Sequence, residues 1–168
     1  MDLLDFEPGS MYFDEPLDPR AQTLLAEAAL AYGDPEAEAK LLEAEAIVPE
    51  HLSVLVALYR YYFYRHQYGA AISVAGRSMD VVARRLNCSN TWAEVEPDDI
   101  ARASTGQAEL VRFYLHALKG AGYLDLRLGN HAKGLERLDH VSALDPKDRI
   151  GAKALADVAR QALQDDAA

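Results

Sequence analysis

Two stretches of this chain, about a hundred residues apart, repeat one helix–turn–helix pattern, and nothing else in the sequence limits the fold as strongly. The first reads Leu24–Leu25, Tyr32–Gly33–Asp34, Ala37, Leu41, Ala44 and Pro49. The second reads Gly122, Leu128–Gly129–Asn130, Gly134, Leu138 and Leu144–Asp145–Pro146. In both, a Gly opens the turn, small residues fall where two helices must touch, and a Pro closes the unit. The interval from turn Gly to Pro is 16 residues in one (Gly33 to Pro49) and 17 in the other (Gly129 to Pro146).

The rest of the chain supplies further helices. Asp18-Pro19 is a helix start, with a side-chain acceptor at the cap and a proline whose missing N–H is not needed there. Asp34-Pro35 repeats the device. Residues 50–67 and 69–86 predict a third and fourth helix turning at about Gln67-Tyr68-Gly69, the fourth running on to Leu86 because the closing proline is absent. Glu96-Pro97-Asp98-Asp99 opens a short helix, Gln107 to Leu128 predicts a long one and Ala132 to Leu144 its mate. After Pro146, the residues Ile150, Leu155, Val158, Ala159 and Leu163 mark one amphipathic helix. Seven main helices plus a short one result.

The paired pattern resembles the tetratricopeptide repeat, a unit of about 34 residues that stacks into a grooved solenoid. The resemblance covers residues 18–51 and 115–148, and 52–86 more loosely; Asp125 stands where that family usually places an aromatic. It implies an all-α, antiparallel helix-pair solenoid of about three repeats (18–51, 52–86 and 115–148), an insertion at 87–114 and a C-terminal capping helix at 149–166. These form one domain from 18 to 168, preceded by an arm, residues 1–17. The arm mixes five acids with Leu3, Leu4, Phe6, Met11, Tyr12, Phe13 and Leu17, a composition suited either to docking or to packing over the first helix.

In that family the first helix of each pair lines the concave face. Carried over, those places fall on Gln22, Ala26, Ala29 and Leu30, then on Arg60, Phe63 and Tyr64, and then on His116, Lys119, Tyr123, Leu126 and Arg127. The candidate partner-binding groove is therefore Arg60, Phe63, Tyr64, His116, Lys119, Tyr123 and Arg127. Arg and Lys beside Tyr suit a carboxylate, which charge-assisted hydrogen bonds fix while rings cover an apolar neighbour. The same residues also fit an ordinary solvated or core-rim surface. In the run from Tyr59 to Tyr68, Tyr59 and Tyr62 are expected in the core, with Tyr61 and Tyr64 pointing elsewhere.

Charge sharpens the functional expectation. The net charge is −10, yet residues 52–86 hold Arg60, Arg65, Arg77, Arg84 and Arg85 against Asp80 alone. An acidic chain is a poor general nucleic-acid binder, while a local basic patch suits a carboxylate-rich partner. No stretch reaches the roughly 18–20 uncharged apolar residues of a membrane span. The start Met1-Asp2-Leu3-Leu4-Asp5 has no basic leader, and lone Cys88 suits a reducing compartment; a cytoplasmic protein is expected. The five histidines show no HxxxH or HExxH pairing and no CxxC exists, so neither a metal nor a cofactor is expected. Cys88 lies in a loop where it is expected to be exposed.

The leading expectation is a non-enzymatic scaffold, an adaptor or chaperone-like module, that receives an acidic or extended segment of another protein. A homo-oligomerising or autoinhibited module using its acidic arm is the alternative. The wording from Leu52 to Tyr64 also resembles small bacterial repeat proteins that accompany nitrogen-fixation genes, which implies a nitrogenase component or assembly factor as client.

Overall fold

The first helix begins for a local reason. Asp18 accepts hydrogen bonds from the backbone N–H of Arg20 (2.8 Å) and Ala21 (3.3 Å), and Pro19 takes the first helical position. That helix, α1 (Pro19–Leu30), is followed by α2 (Pro35–Ile47), α3 (Leu52–Tyr64), α4 (Tyr68–Leu86), α5 (Pro97–Arg127), α6 (His131–Leu144) and α7 (Ala152–Asp165). The structure, a computed structural model, describes residues 15–165; most of the expected arm and the last three residues lie outside them. Among the described residues there are seven α-helices, a short 3₁₀ turn at Trp92–Glu94 and no strand. No helix among them is long and apolar enough to cross a membrane.

The helices pack in antiparallel pairs: α1 on α2, α3 on α4 and α5 on α6. Each pair meets the next through α2 with α3, α4 with α5 and α6 with α7. The buried register recurs. First helices bury an i, i+3, i+7 set: Ala21, Leu24 and Ala28; Leu55, Leu58 and Tyr62; Leu118, Ala121 and Asp125. Second helices bury an i, i+4, i+7 set: Ala37, Leu41 and Ala44; Ala71, Ala75 and Ser78; Gly134, Leu138 and Val141. Each set lies along one stripe of its helix, so each pair zips together along the same line. In the third pair two glycines face each other. A Cβ on Gly134 would lie 2.8 Å from the Gly122 carbonyl oxygen and 2.8 Å from the Leu126 side chain.

Several local details depart from the sequence expectation. The second turn falls at Arg65–Gln67, with His66 left-handed at φ 57°, while Gly69 belongs to the first turn of α4. The N–H of Gln67 reaches back to the Tyr62 carbonyl (2.8 Å), just as that of Asn130 reaches the Asp125 carbonyl (2.9 Å) in the third pair. His66 thus stands where the third pair uses Gly129 (φ 81°). Asp34 makes no side-chain cap bond, so only the proline part of its device operates. The short helix expected from Glu96 is fused to the long one: α5 is 31 residues with a break in helical geometry at Gln107 (φ −133°, ψ 37°). Its start is a capping box, in which the Asp99 carboxylate accepts from the Glu96 N–H (3.1 Å).

Candidate interaction surface

The C-terminal ends of α1, α3 and α5 lie at one end of the stack, and their side chains form a continuous aromatic row. Tyr32, just after α1, sets its ring edge-on to Tyr61 (5.9 Å) and to Tyr64 (6.3 Å). Tyr64 meets Phe63 at 5.6 Å, and Phe63 meets Tyr68 at 6.0 Å. The Arg127 guanidinium lies over the Tyr68 ring at 5.2 Å and over Tyr123 at 5.9 Å, and its Nη1 donates to the Tyr123 hydroxyl at 2.9 Å. Phe63, Tyr64, Tyr123 and Arg127, all marked from the sequence, are therefore brought together. Tyr68 and Tyr32, which were not, complete the row.

This row is partly open to solvent: Phe63, Tyr68 and Tyr123 are half-buried against the core, and the exposure lies at its other members and their neighbours. Tyr64 is 56% exposed, Tyr32 37% and Leu128 47%, and Leu30 at the same end is 92% exposed. Arg127 is exposed as well. Of the five donors of its guanidinium, Nη1 alone has an acceptor among the described residues. Arg60 is half-buried on α3, and its charge acts on the Tyr32 hydroxyl, although burial outweighs it and raises the Tyr32 pKa. The arrangement pairs ring faces with a cation held in place by stacking, a geometry suited to a carboxylate beside an apolar group.

Two of the marked residues have other tasks. Lys119 donates from Nζ to the Ile150 carbonyl (2.9 Å), tying α5 to the loop before α7, and His116 is 3% exposed. The reason is geometric: α5 runs between α4 and α6, so its middle turns are enclosed. Neither side chain is presented to the surface row. Tyr61, expected to point away from the core, is 2% exposed, held between Tyr32 and Tyr62.

The positive charge of the second pair is also largely committed. Arg77 pairs with Glu45, Arg84 with Glu50 (2.5 Å) and Arg85 with Glu15 (3.0 Å). Acids of α2, of the loop after it and of the end of the arm thus neutralise the arginines of α4. Exposed pairs of this kind contribute little stability each, but they remove most of the basic patch from a partner's reach.

A polar cluster on the other side of α5 explains Asp125. Its carboxylate is buried, lies 3.4 Å from Arg137 Nε and accepts from the Asn130 amide (3.3 Å). The Arg137 guanidinium sits under the Trp92 ring (5.7 Å), which in turn meets His140 (5.4 Å). The segment before α5 therefore covers this buried ion pair, and Trp92 is the lid. Cys88, expected exposed, is half-buried, and burial raises its thiol pKa, which disfavours the reactive thiolate. Among the described residues no group of three His, Cys, Asp or Glu side chains has the spacing to hold a metal ion.

Tyr68 opens α4, where the spacing of a first helix does not reach. The density of the run from Tyr59 to Tyr68 was the available signal. Trp92, the single tryptophan, carried no periodic signal at all.

No family model matches the chain, and no solved structure matches it. Over 158 residues it is 46% identical to a protein of Azotobacter chroococcum mcd 1 described as "Uncharacterized 19.8 kDa protein in nifW 5'region". The match spans 94% of this chain and 88% of that protein.

Proposed function

On the premise that this chain belongs to the family of that Azotobacter protein, we propose that it is a non-enzymatic protein-binding scaffold of tetratricopeptide type with an accessory role in nitrogen fixation. Its partner is another protein, which offers an acidic or extended segment to the row of Phe63, Tyr64, Tyr68, Tyr123 and Arg127. The observation that carries this reading is the Arg127 guanidinium, exposed yet stacked on Tyr68 and bonded to Tyr123 at the end of an exposed aromatic row. Tyr and Arg are the side chains most enriched where interfaces concentrate their affinity.

Two further observations support parts of the reading. The recurring buried sets of the first and second helices, with Gly122 against Gly134, fit a tetratricopeptide-type stack. The location of the relative in a nif gene region supports the nitrogen-fixation context. The client would then be a nitrogenase component or an assembly factor.

The test compares the natural chain with a Tyr64→Ala/Arg127→Ala variant as bait in cells grown under nitrogen-fixing conditions. A nif-encoded protein is retained by the natural chain and lost from the variant, with far-ultraviolet circular dichroism unchanged. The same proteins on both baits would reject the surface. Truncation of two interface anchors commonly weakens binding by about 2 kcal/mol or more, roughly 30-fold.

A further inference from the structure

The aromatic row is not uniform along its length. From Tyr32 through Tyr64, Phe63 and Tyr68 to Arg127, successive groups lie 5.2 to 6.3 Å apart. Its cation stands at the α5 end, where the Arg127 guanidinium is stacked on Tyr68 and anchored through Nη1 to the Tyr123 hydroxyl. Stacking covers a face of the guanidinium and leaves its edge, a planar fork that matches one carboxylate. The α1 end has the opposite sign: Asp34, exposed in the turn after Tyr32, makes no side-chain cap bond. Tyr64, Leu128 and Leu30 add large apolar groups open to water.

We propose that the row selects a segment of another protein with one acidic side chain beside bulky apolar ones, and not an acidic run. The carboxylate sits on Arg127, and the apolar side chains lie across Tyr64 toward α1. The inference rests on the binding role proposed above and deepens it by naming the chemistry of the partner's segment.

Charge carries the argument. The arginines that could receive further acids are engaged: Arg77, Arg84 and Arg85 face Glu45, Glu50 and Glu15, and Arg60 is half-buried with contacts of its own. A polyacidic segment would lay its other carboxylates on rings and beside Asp34, where nothing offsets their desolvation. One carboxylate on the Arg127 fork has its donors, and apolar neighbours gain from covering Tyr64 and Leu128. Size is modest, since extended chain advances about 3.3–3.6 Å per residue and about seven residues cover the row at most. Because apolar contact supplies most of the affinity, salt should affect it little.

The experiment titrates the full ¹⁵N-labelled chain with three synthetic peptides: acetyl-Leu-Ser-Phe-Ser-Ser-Asp-Ser-amide, the same peptide with Asn for Asp, and hexaglutamate. Amide signals of residues 63–68 and 123–128 are expected to shift with the first peptide. The Asn form should bind about tenfold more weakly, and hexaglutamate more weakly still. Raising salt from about 50 to about 500 mM should weaken the first peptide by no more than about threefold. Arg127→Lys keeps the charge without the flat face or the fork, so it should bind the first peptide about tenfold more weakly than the natural chain does. Tightest binding by hexaglutamate, equal binding of the first two peptides, or no shift of those amides with the first peptide would each overturn the proposal. Such a failure differs from failure of the binding role, which partner capture reads on whole proteins. A nif-encoded protein held by the natural chain and lost from the Tyr64→Ala/Arg127→Ala variant keeps that role even where the peptides fail.

Discussion

Gly122 and Gly134 face each other across α5 and α6 so closely that a Cβ on Gly134 would lie 2.8 Å from the Gly122 carbonyl oxygen. The obstructing atom is backbone, which cannot swing aside as a side-chain tip can. Gly134→Ala should therefore push the two helices apart and cost about 1–3 kcal/mol, as overpacking usually does. Gly33→Ala is the control: it has no neighbour within 4 Å, and Gly33 is not among the positive-φ glycines. That change should be neutral or stabilising by up to about 1 kcal/mol. Urea unfolding of the two variants reads the difference; equal midpoints would refute the close contact.

His66 holds a left-handed backbone at φ 57° in the turn position that the third pair fills with Gly129 at φ 81°. A residue with a Cβ pays roughly 1–2 kcal/mol there. His66→Gly relieves that strain, against the greater entropy of glycine in the unfolded chain and the loss of the His66 Nδ1 contact with the Tyr68 hydroxyl (2.8 Å). The net expectation is a gain of about 0.5 kcal/mol, whereas Gly129→Ala should lose about 1 kcal/mol. Opposite shifts in melting temperature are the readout. A destabilised His66→Gly would mean that the ring contact dominates the turn.

The same two turns show what the sequence made legible. The repeated Gly, small residues and Pro in residues 18–51 and 115–148 announce helix pairs because backbone contact and helix termination both restrict residue type. The second pair lacks that punctuation: His66 replaces the glycine and no proline follows α4, so its turn falls two residues before the place that Gly69 suggests. Four of the six residues of the row are legible from helical spacing, which places Phe63, Tyr64, Tyr123 and Arg127 on faces that the fold unites. His116 and Lys119 share that spacing with Tyr123, but what encloses a helix turn depends on its neighbours, and α4, α6 and the loop before α7 are remote in sequence. Tyr68 and Trp92 lie in connecting positions, where no period exists to read.

Alkaline stability should depend on Tyr62. Burial, and then the hydrogen bond its hydroxyl donates to Glu38 (3.0 Å), push its pKa up to about 12 from an unfolded value near 10. A raised folded pKa means that the neutral form is favoured in the native state. The corresponding stability is fully present below about pH 10 and is lost as pH rises through about 12. Tyr62→Phe has no proton to lose, so its unfolding free energy should fall less steeply across that window than that of the natural chain. Tyr114, Tyr32 and Cys88, whose pKa values burial also raises, sustain the remaining slope. Denaturant midpoints between pH 9 and 12 test this, and identical slopes for both proteins would exclude Tyr62 as a contributor.

The buried pair Asp125–Arg137 gives the sharpest stability prediction. Both side chains are nearly inaccessible, and their nearest atoms sit 3.4 Å apart, longer than a charge-assisted hydrogen bond. Desolvation of each ion is offset by the other, by the Asn130 amide on Asp125 and by the Trp92 face on Arg137. Asp125→Ala strands the Arg137 charge and should cost about 3–5 kcal/mol, whereas Asp125→Leu with Arg137→Met replaces both ions by apolar groups and should cost far less. Because Trp92 is the chain's single tryptophan, its fluorescence reports on the cluster directly. Emission should move to longer wavelength in the single variant as the ring loses its seat, and return toward the natural value in the double. If the double variant is as unstable as the single, the pair is a net source of stability and the desolvation argument fails.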